Sequence, residues 1–227
     1  MQSLHQEHFF NLESFLLKTF MKGNFVFDPL LTLKKNLDGL SLGSIKGYVS
    51  KHAYLIDPST ITIEKGAVVE PGAYIKGPCY IGKNTVVRHG AYIRGYVIVG
   101  SDSIIGHDTE VKHSILLNNV QASHFAYIGD SILGNNVRLG AGVKCANVRL
   151  DQKEITLFFN NQKIATNLKK MGCILGDGVQ IGCNAVLNPG TIVGPKSYCH
   201  PCITVKGIIK PFSVVKAANQ IIVESYA

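Results

Sequence analysis

Aliphatic residues recur at a strict spacing of six along most of this chain. The first run has nine members and two shorter runs follow it, at Ile63, Val69, Ile75, Ile81, Val87, Ile93, Val99, Ile105 and Val111, then at Leu133 and Leu139, then at Leu175, Ile181, Leu187 and Val193. Such a period fits neither an amphipathic helix nor one alternating strand, and it is typical of a parallel β-helix. Each repeat supplies one flat face with its aliphatic residue inward, and the glycine that often follows lowers the steric cost of the corner. Three faces make one coil, so equivalent residues of successive coils stack at about 4.8 Å.

Residues 1–44 lack this period and are predicted to form a helical N-terminal cap. An apolar stripe indicates a first helix, made by Phe9, Phe10, Leu12, Phe15, Leu16 and Phe20. Asp28-Pro29 begins a second short helix that runs through Leu37. We expect this helical hairpin to cover the open edge of the first coils, because the terminal units of a solenoid need caps.

Residues 45–227 are predicted to be the β-helix, with two interruptions. The register slips between Leu117 and Tyr127, and the period is lost over the insertion 148–172. Within the insertion, 155–159 and 162–164 flank Asn160-Asn161 and predict a protruding β-hairpin. Coils resume at Cys173 and run to about Val215, and 217–227 is expected to be a final strand or a short extension. Insertions of this kind often gather on the binding face of a solenoid.

Composition narrows the classes of partner. The net charge is +8, but the basic residues are scattered, without an arginine-rich run or interleaved aromatics, which favours small phosphate ligands over nucleic acid. There is no long apolar run and no signal-peptide pattern, so we expect a cytoplasmic protein without a membrane partner. Its six cysteines are then expected to be thiols.

Chemistry is expected where the repeat breaks, because regular coils expose only flat faces. The stretch 106–147 holds the unusual polar residues, which are Glu110, Lys112, His124, Tyr127, Asp130, Arg138 and Asn147. A lone histidine is more often a surface residue than a base, but His124 lies inside the predicted slip beside these groups. Arg94 and Lys112 are one coil apart and should stack on one face, either around an anion or as two solvated charges.

The same stretch resembles a known family. The motifs IGHDTEVK at 105–112, SHFAYIGD at 123–130, LGAG at 139–142 and CAN at 145–147 resemble, in order, the acetyltransferase half of bacterial N-acetylglucosamine-1-phosphate uridyltransferase. The segments NVRLD at 147–151 and KKMGCILGD at 169–177 are more similar to the archaeal-type bifunctional sugar-1-phosphate nucleotidylyltransferase and acetyltransferase. The resemblance covers residues 45–211 and implies a left-handed β-helix.

The resemblance implies an acetyl-CoA-dependent N-acetyltransferase acting on an amino-sugar phosphate. His124 would be the general base for direct transfer and Asn147 would orient the acceptor or acetyl group. Arg94 and Lys112 would hold the sugar phosphate, with Glu110 and Tyr127 lining the sugar site. Contacts to CoA would come from Lys153, Cys183, Pro201, Lys206 and Lys210. A homotrimer is implied, with the site between subunits.

Two departures from the family, Arg138 and Val148, keep alternatives open, and Val148 replaces a tyrosine of the bacterial enzyme. Arg138 stands where the family has an asparagine that contacts the sugar, so we expect it to read an extra acceptor charge or to replace that residue structurally. The nucleotidyltransferase half is not expected, nor its magnesium. One alternative is a non-catalytic protein that binds sugar nucleotides or regulates a separate nucleotidyltransferase. Another is transfer to oxygen, or of a longer acyl chain.

A metal site is a weaker interpretation. His89 and His107 share one repeat position in successive coils and His113 holds it on the next face, a pattern similar to β-helical carbonic anhydrases but with different spacings. Cys199-His200-Pro201-Cys202 is a CxxC without a second ligand pair. No metal is therefore expected.

Overall fold

Residues 45–215 form a left-handed parallel β-helix, a triangular prism whose three faces are parallel sheets. The computed structural model describes residues 3–217, so the tail expected over 217–227 lies outside the described residues except for Ala217. None of the described helices is long and apolar enough to cross a membrane.

The strands alternate among the three sheets in chain order. The first sheet has nine strands: Tyr48–Val49, Val68–Val69, Val86–Val87, Ile104–His107, Gln121–His124, Arg138–Leu139, Gln180–Ile181, Tyr198–Cys199 and Val214–Val215. The second sheet has eight: Tyr54–Ile56, Tyr74–Lys76, Tyr92–Ile93, Glu110–Lys112, Tyr127–Gly129, Lys144–Cys145, Val186–Leu187 and Thr204–Val205. The third also has eight: Ile61–Ile63, Cys79–Ile81, Val97–Val99, Ser114–Leu116, Ile132–Leu133, Cys173–Leu175, Thr191–Val193 and Ile208–Ile209.

The six-residue ladder fills the interior of the prism. Its aliphatic side chains are buried in one continuous cluster, with small residues such as Ala67 and Ala91 beside them. All six cysteines are free thiols, and four of them are buried. The period therefore predicts the core correctly, because one inward residue per face is what closes each coil.

Two successive coils are one residue short, and the shortening lies elsewhere than the sequence suggests. Tyr92 pairs with Glu110, 18 residues on, whereas Glu110 pairs with Tyr127 and Tyr127 with Lys144, each 17 residues on. The residue is lost at the corner from the second to the third sheet, before Leu116 and again before Leu133. The predicted slip between Leu117 and Tyr127 is wrong: the chain shortens on either side of that stretch, at the tight turns where His113 and Asp130 have positive φ values of 44° and 48°.

The N-terminal segment is less helical than the sequence predicts. Its elements are the 3₁₀ turns Gln6–His8 and Lys18–Met21 and the α-helix Asp28–Asp38, with a further 3₁₀ turn at Pro58–Thr60. The helix from Asp28 is confirmed, with proline in its first turn. The apolar stripe over 9–20 is not a helix; the carbonyl of Phe9 accepts from the backbone of Asp177 instead, and Leu16 is 68% exposed.

This segment covers the outer face of the third sheet and not the open edge of the first coils. It packs on a row of outward side chains that runs along the prism: Tyr80, Ile98, Ile115, Ile132, Ile174 and Ile192. These strands are apolar on both sides, as expected for a sheet buried on both faces. The segment covers this face because leaving a whole apolar face in water costs more free energy than leaving one sheet edge unpaired.

The insertion is a β-hairpin, as predicted. Its strands Thr156–Phe159 and Gln162–Ala165 pair antiparallel. Asn160 and Asn161 between them have positive φ values of 48° and 61°, the conformation of a two-residue type I′ turn. Ile155 and Leu157 join the apolar cluster on the third sheet, which fixes the hairpin to the prism.

Candidate functional site

The two shortened corners bring a buried carboxylate into contact with three other polar side chains. Asp130 is 5% exposed, and its Oδ2 atom lies 2.8 Å from the Lys112 ammonium. Its Oδ1 atom lies 3.1 Å from Nδ1 of His113. The Asn147 amide donates a short hydrogen bond to Oδ2. These groups come from three successive coils, so the shortened turns assemble them.

The electrostatics of this cluster favour an ionised Asp130. Burial alone raises the pKa of the carboxyl, but the contacts from His113, Lys112 and Asn147 outweigh it and hold the pKa below its ordinary value. The aspartate is therefore charged at neutral pH, and it holds the Lys112 ammonium and the Asn147 amide in place.

Tyr127 extends the cluster onto the second sheet. Its hydroxyl donates to Oδ1 of Asn147 at 3.3 Å. Burial, followed by the charges of Asp130 and Glu110, raises the pKa of Tyr127, so the phenol stays protonated. Gly129 makes this contact possible, because a Cβ atom there would lie 2.6 Å from the Tyr127 hydroxyl and 2.8 Å from the Asn147 amide nitrogen.

The two stacked cations each meet a carboxylate of their own. Arg94 and Lys112 occupy equivalent positions in neighbouring coils, as predicted, and the Arg94 backbone N–H donates to Val111. The Arg94 guanidinium forms a 2.6 Å ion pair with Glu110, while Lys112 is held by Asp130. Glu110 therefore pairs with a cation within the chain. No anion is needed between Arg94 and Lys112, and the guanidinium keeps further N–H donors.

His124 lies away from this cluster, at the corner from the first to the second sheet. It ends the strand Gln121–His124, it is exposed, and no group within residues 3–217 forms a hydrogen bond with its imidazole. His107 pairs with it in register, and the His89 and His107 rings stack at 4.3 Å. His113 occupies a different corner, so the histidines do not converge. Within the described residues, no group of three or more histidines, cysteines or acids is placed to hold a metal ion.

The residues expected to contact CoA fall in three places. Cys183 and Pro201 occupy the corner column of His124 in later coils. Along this column the backbone N–H of Gly142 donates to His124, that of Asn184 to Ala141, and that of Cys202 to Cys183. Lys206 lines a cleft of about 660 Å³ beside the insertion, together with Ala146, Val148, Arg149, Leu150, Asp151, Asn188 and Pro189. Lys153 is exposed in the insertion. Lys210 lies at the corner from the third to the first sheet, apart from the others.

Arg138 is also separated from the cluster within one chain. It lies on the first sheet, paired in register with Gln121 and Gln180, and it is exposed. Within one chain it therefore does not join Arg94 and Lys112, because those two residues lie on the second sheet.

Sequence reasoning gave no role to the residues at the centre of the cluster. Asp130 was only one of several unusual polar residues, and His113 belonged to the metal interpretation. The signal that finds both is the spacing: the inward ladder shortens from six to five between Val111 and Leu116, and again between Ile128 and Leu133. Each shortened step contains one of the two residues.

The stretch that contains these groups is similar to known proteins. The family model of the GMPPB C-terminal domain matches residues 75–209. A bifunctional sugar-1-phosphate nucleotidylyltransferase/acetyltransferase of Sulfurisphaera tokodaii is 34% identical over 92 residues, which are 40% of this chain and 23% of that protein. The bifunctional protein GlmU of Methanococcus vannielii is 35% identical over 115 residues, which are 50% of this chain and 28% of that protein.

The aligned part of this chain thus spans less than a third of these relatives. Among solved structures, a UDP-N-acetylglucosamine acyltransferase from Campylobacter jejuni has a TM-score of 0.51 and 18% identity, over 73% of this chain and 70% of that one. This likeness supports the β-helix fold.

Proposed function

The chain belongs to the GMPPB C-terminal domain family, and from this premise we propose that it is an acetyl-CoA-dependent N-acetyltransferase acting on an amino-sugar phosphate. The relatives named for acetyl transfer support the reaction class. The observation that carries the proposal is the cluster of Arg94, Lys112, Tyr127, Asp130 and Asn147, which combines cations with oriented hydrogen-bonding groups beside an open cleft.

The reaction needs a neutral amine and a base. Only an unprotonated amine is nucleophilic, and His124 has an imidazole that is free to accept its proton as the amine attacks the thioester carbonyl. The new C–N bond forms, the C–S bond breaks, and the CoA thiolate leaves and takes up a proton. Asn147, held by Asp130, supplies an oriented amide for the acetyl group or the acceptor.

The cations suit a phosphorylated acceptor. Arg94 uses one guanidinium nitrogen for Glu110, so its other N–H groups remain available to phosphate oxygens. Lys112 is 20% exposed and points one donor at Asp130, which leaves two further N–H donors. The cleft lined by Lys206 lies next to Ala146, one residue from Asn147, and offers a place for the CoA arm.

We also propose a homotrimer with sites between neighbouring prisms. The N-terminal segment covers the third sheet, so the first and second sheets are the faces left to meet other copies. His124 lies on the edge between these two faces. Arg138 on the first sheet of one copy would then face the second-sheet cluster of its neighbour.

Purified protein should release CoA thiol when incubated with acetyl-CoA and glucosamine 1-phosphate or glucosamine 6-phosphate. Unphosphorylated glucosamine should be a poorer acceptor, because Arg94 and Lys112 lose their anion. An amide product resists hydroxylamine, whereas an ester product would indicate transfer to oxygen. No thiol release from any acceptor, with sugar-nucleotide binding retained in calorimetry, would favour the non-catalytic alternative.

A further inference from the structure

A column of cations runs along the outer face of the second sheet beyond the proposed acetyl-transfer site. Lys76, Arg94 and Lys112 hold equivalent positions in three successive coils, because Ile75 pairs with Ile93 and Ile93 with Val111. Lys112 is neutralised by Asp130 and Arg94 shares its charge with Glu110. Within residues 3–217, no carboxylate lies within 4.0 Å of the Lys76 ammonium. The unbalanced positive charge therefore lies at the end of the column farthest from Asp130.

A column of tyrosines lies beside these cations. Tyr54, Tyr74 and Tyr92 pair in register and are 61%, 37% and 41% exposed. Their ring centroids are 6.1 Å and 5.3 Å apart along the column. The Arg94 guanidinium lies 5.8 Å from the centre of the Tyr92 ring, which joins the two columns. The next positions in the tyrosine column are Glu110 and Tyr127, so it leads directly into the cluster around Asp130.

The charge of this part of the second sheet argues that, in the proposed trimer, it lines a cleft between copies and is not the buried centre of their contact. Exposed aromatic rings in a row favour binding of some kind, since scattered apolar side chains need no partner but contiguous ones do. A protein interface would cover Lys76 without a carboxylate to pair with it, and an unpaired buried charge is costly. Lysine is depleted at interface centres for this reason.

A nucleoside diphosphate complements both columns. Its phosphates would meet Lys76 and the free N–H groups of Arg94, and its base would stack on an exposed tyrosine ring. From Glu110 to Tyr54 the column spans three strand steps, about 14 Å, the length scale of an extended nucleotide.

We propose that the columns Lys76–Arg94 and Tyr54–Tyr74–Tyr92 bind a nucleoside diphosphate, so that the preferred acceptor is an amino sugar carried on that diphosphate. The substrate part of this inference rests on the proposed function. The nucleotide part does not, because it concerns groups outside the acetyl-transfer cluster.

Calorimetry on the full chain separates the contributions of the phosphate charges and of the nucleobase to binding affinity. The probes are UDP, GDP, ADP, UMP and inorganic pyrophosphate, with Lys76→Gln and Tyr74→Ala as variants and Lys83→Gln as control. Lys83 is exposed at the corner from the third to the first sheet. At least one nucleoside diphosphate should bind more tightly than UMP. Lys76→Gln should lower the affinity for that diphosphate and for pyrophosphate about tenfold. Tyr74→Ala should lower only the affinity for the nucleoside diphosphate, by a similar factor. Lys83→Gln should leave the affinities for the diphosphate and for pyrophosphate unchanged.

Acetyl transfer provides the second readout. A nucleoside-diphosphate amino sugar should have a higher kcat/KM than glucosamine 1-phosphate, and Lys76→Gln should reduce that preference. Turnover of glucosamine 1-phosphate without diphosphate binding would overturn this inference alone. Diphosphate binding without turnover of any acceptor would overturn the proposed function and leave the nucleotide site standing. A change of oligomeric state in Tyr74→Ala, seen by light scattering, would identify the tyrosine column as a contact between copies.

Discussion

Asp130 is the residue whose ionisation the rest of the site depends on. Its carboxylate contacts Lys112, His113 and Asn147, and each contact favours its charged form. Asp130→Asn should lower kcat/KM for acetyl transfer about 100-fold, because a displaced amide or ammonium no longer meets the reacting groups. Asp102→Asn is the matched control, since Asp102 accepts from Asn84 at another corner of the prism.

The same substitution has a predictable effect on stability against pH. The folded-state pKa of Asp130 is depressed, so its ionisation stabilises the protein above the unfolded-state pKa, and that contribution is lost as pH falls through the folded-state pKa. Denaturant unfolding of Asp130→Asn should therefore depend less on acid pH than that of the wild type. An identical acid profile in both proteins would contradict the proposed charge state.

As the proposed general base, His124 should affect proton transfer and not the stability of the fold. Its imidazole is exposed and is not hydrogen-bonded within residues 3–217, so His124→Ala should leave the melting temperature unchanged. The loss of a general base should lower kcat roughly 10²–10⁴-fold, with the KM for acetyl-CoA nearly constant. His89→Ala, two coils away in the same column, serves as the control. Full turnover by His124→Ala would mean that another group takes the proton.

Among the elements, the inward aliphatic residues that recur every six positions stabilise the fold. Ile105 is fully buried while its neighbour Ile104 faces outward on the same strand. Ile105→Asp should prevent folding, because it buries an unpaired carboxylate at a cost of several kcal/mol. Ile104→Asp should give soluble protein with the circular dichroism of the wild type. Equal behaviour of the two variants would place the inward register elsewhere.

Asp177 is one of the residues that hold the N-terminal segment on the prism. Asp177 accepts from the backbone of Asn11 at 2.8 Å and from the backbone of Asn135 at 2.7 Å. Asp177→Ala should lower the free energy of unfolding by about 1–3 kcal/mol, because these donors lose their partner. Asp151→Ala, which removes a pair with exposed Arg149, should cost far less. Protease cleavage before residue 28 should accelerate only in the first variant.

At the scale of the whole molecule, Arg138 tests whether neighbouring prisms share a site. One chain leaves it exposed on the first sheet, a face away from the cluster. In the proposed trimer, Arg138→Asn should raise the KM of phosphorylated acceptors about tenfold and reduce its salt sensitivity, while the melting temperature stays constant. A lower melting temperature with equal effects on all acceptors would indicate a structural role. Unchanged kinetics would exclude Arg138 from substrate binding.

Prediction from the sequence was most successful where structure depends on neighbours along the chain. The inward positions, the corner glycines, the Asn160-Asn161 turn and the helix at Asp28–Pro29 are each determined by a few adjacent residues. The stripe over 9–20 failed for the opposite reason. Residues of this stripe contact Asp177, which is 166 positions from Asn11, and the third sheet, and these distant contacts override the local helical pattern.

The sequence by itself therefore determined a six-residue solenoid, the stacking of Arg94 on Lys112, and the stretch that holds the candidate site. Only the tertiary structure decided that Asp130 joins Lys112, His113 and Asn147, and that His124 and Arg138 lie on other parts of the prism. The physical reason is that each inward residue is selected within its own repeat, whereas side chains from different coils meet according to where a corner loses a residue. The repeat pattern registers that loss only as a break in spacing.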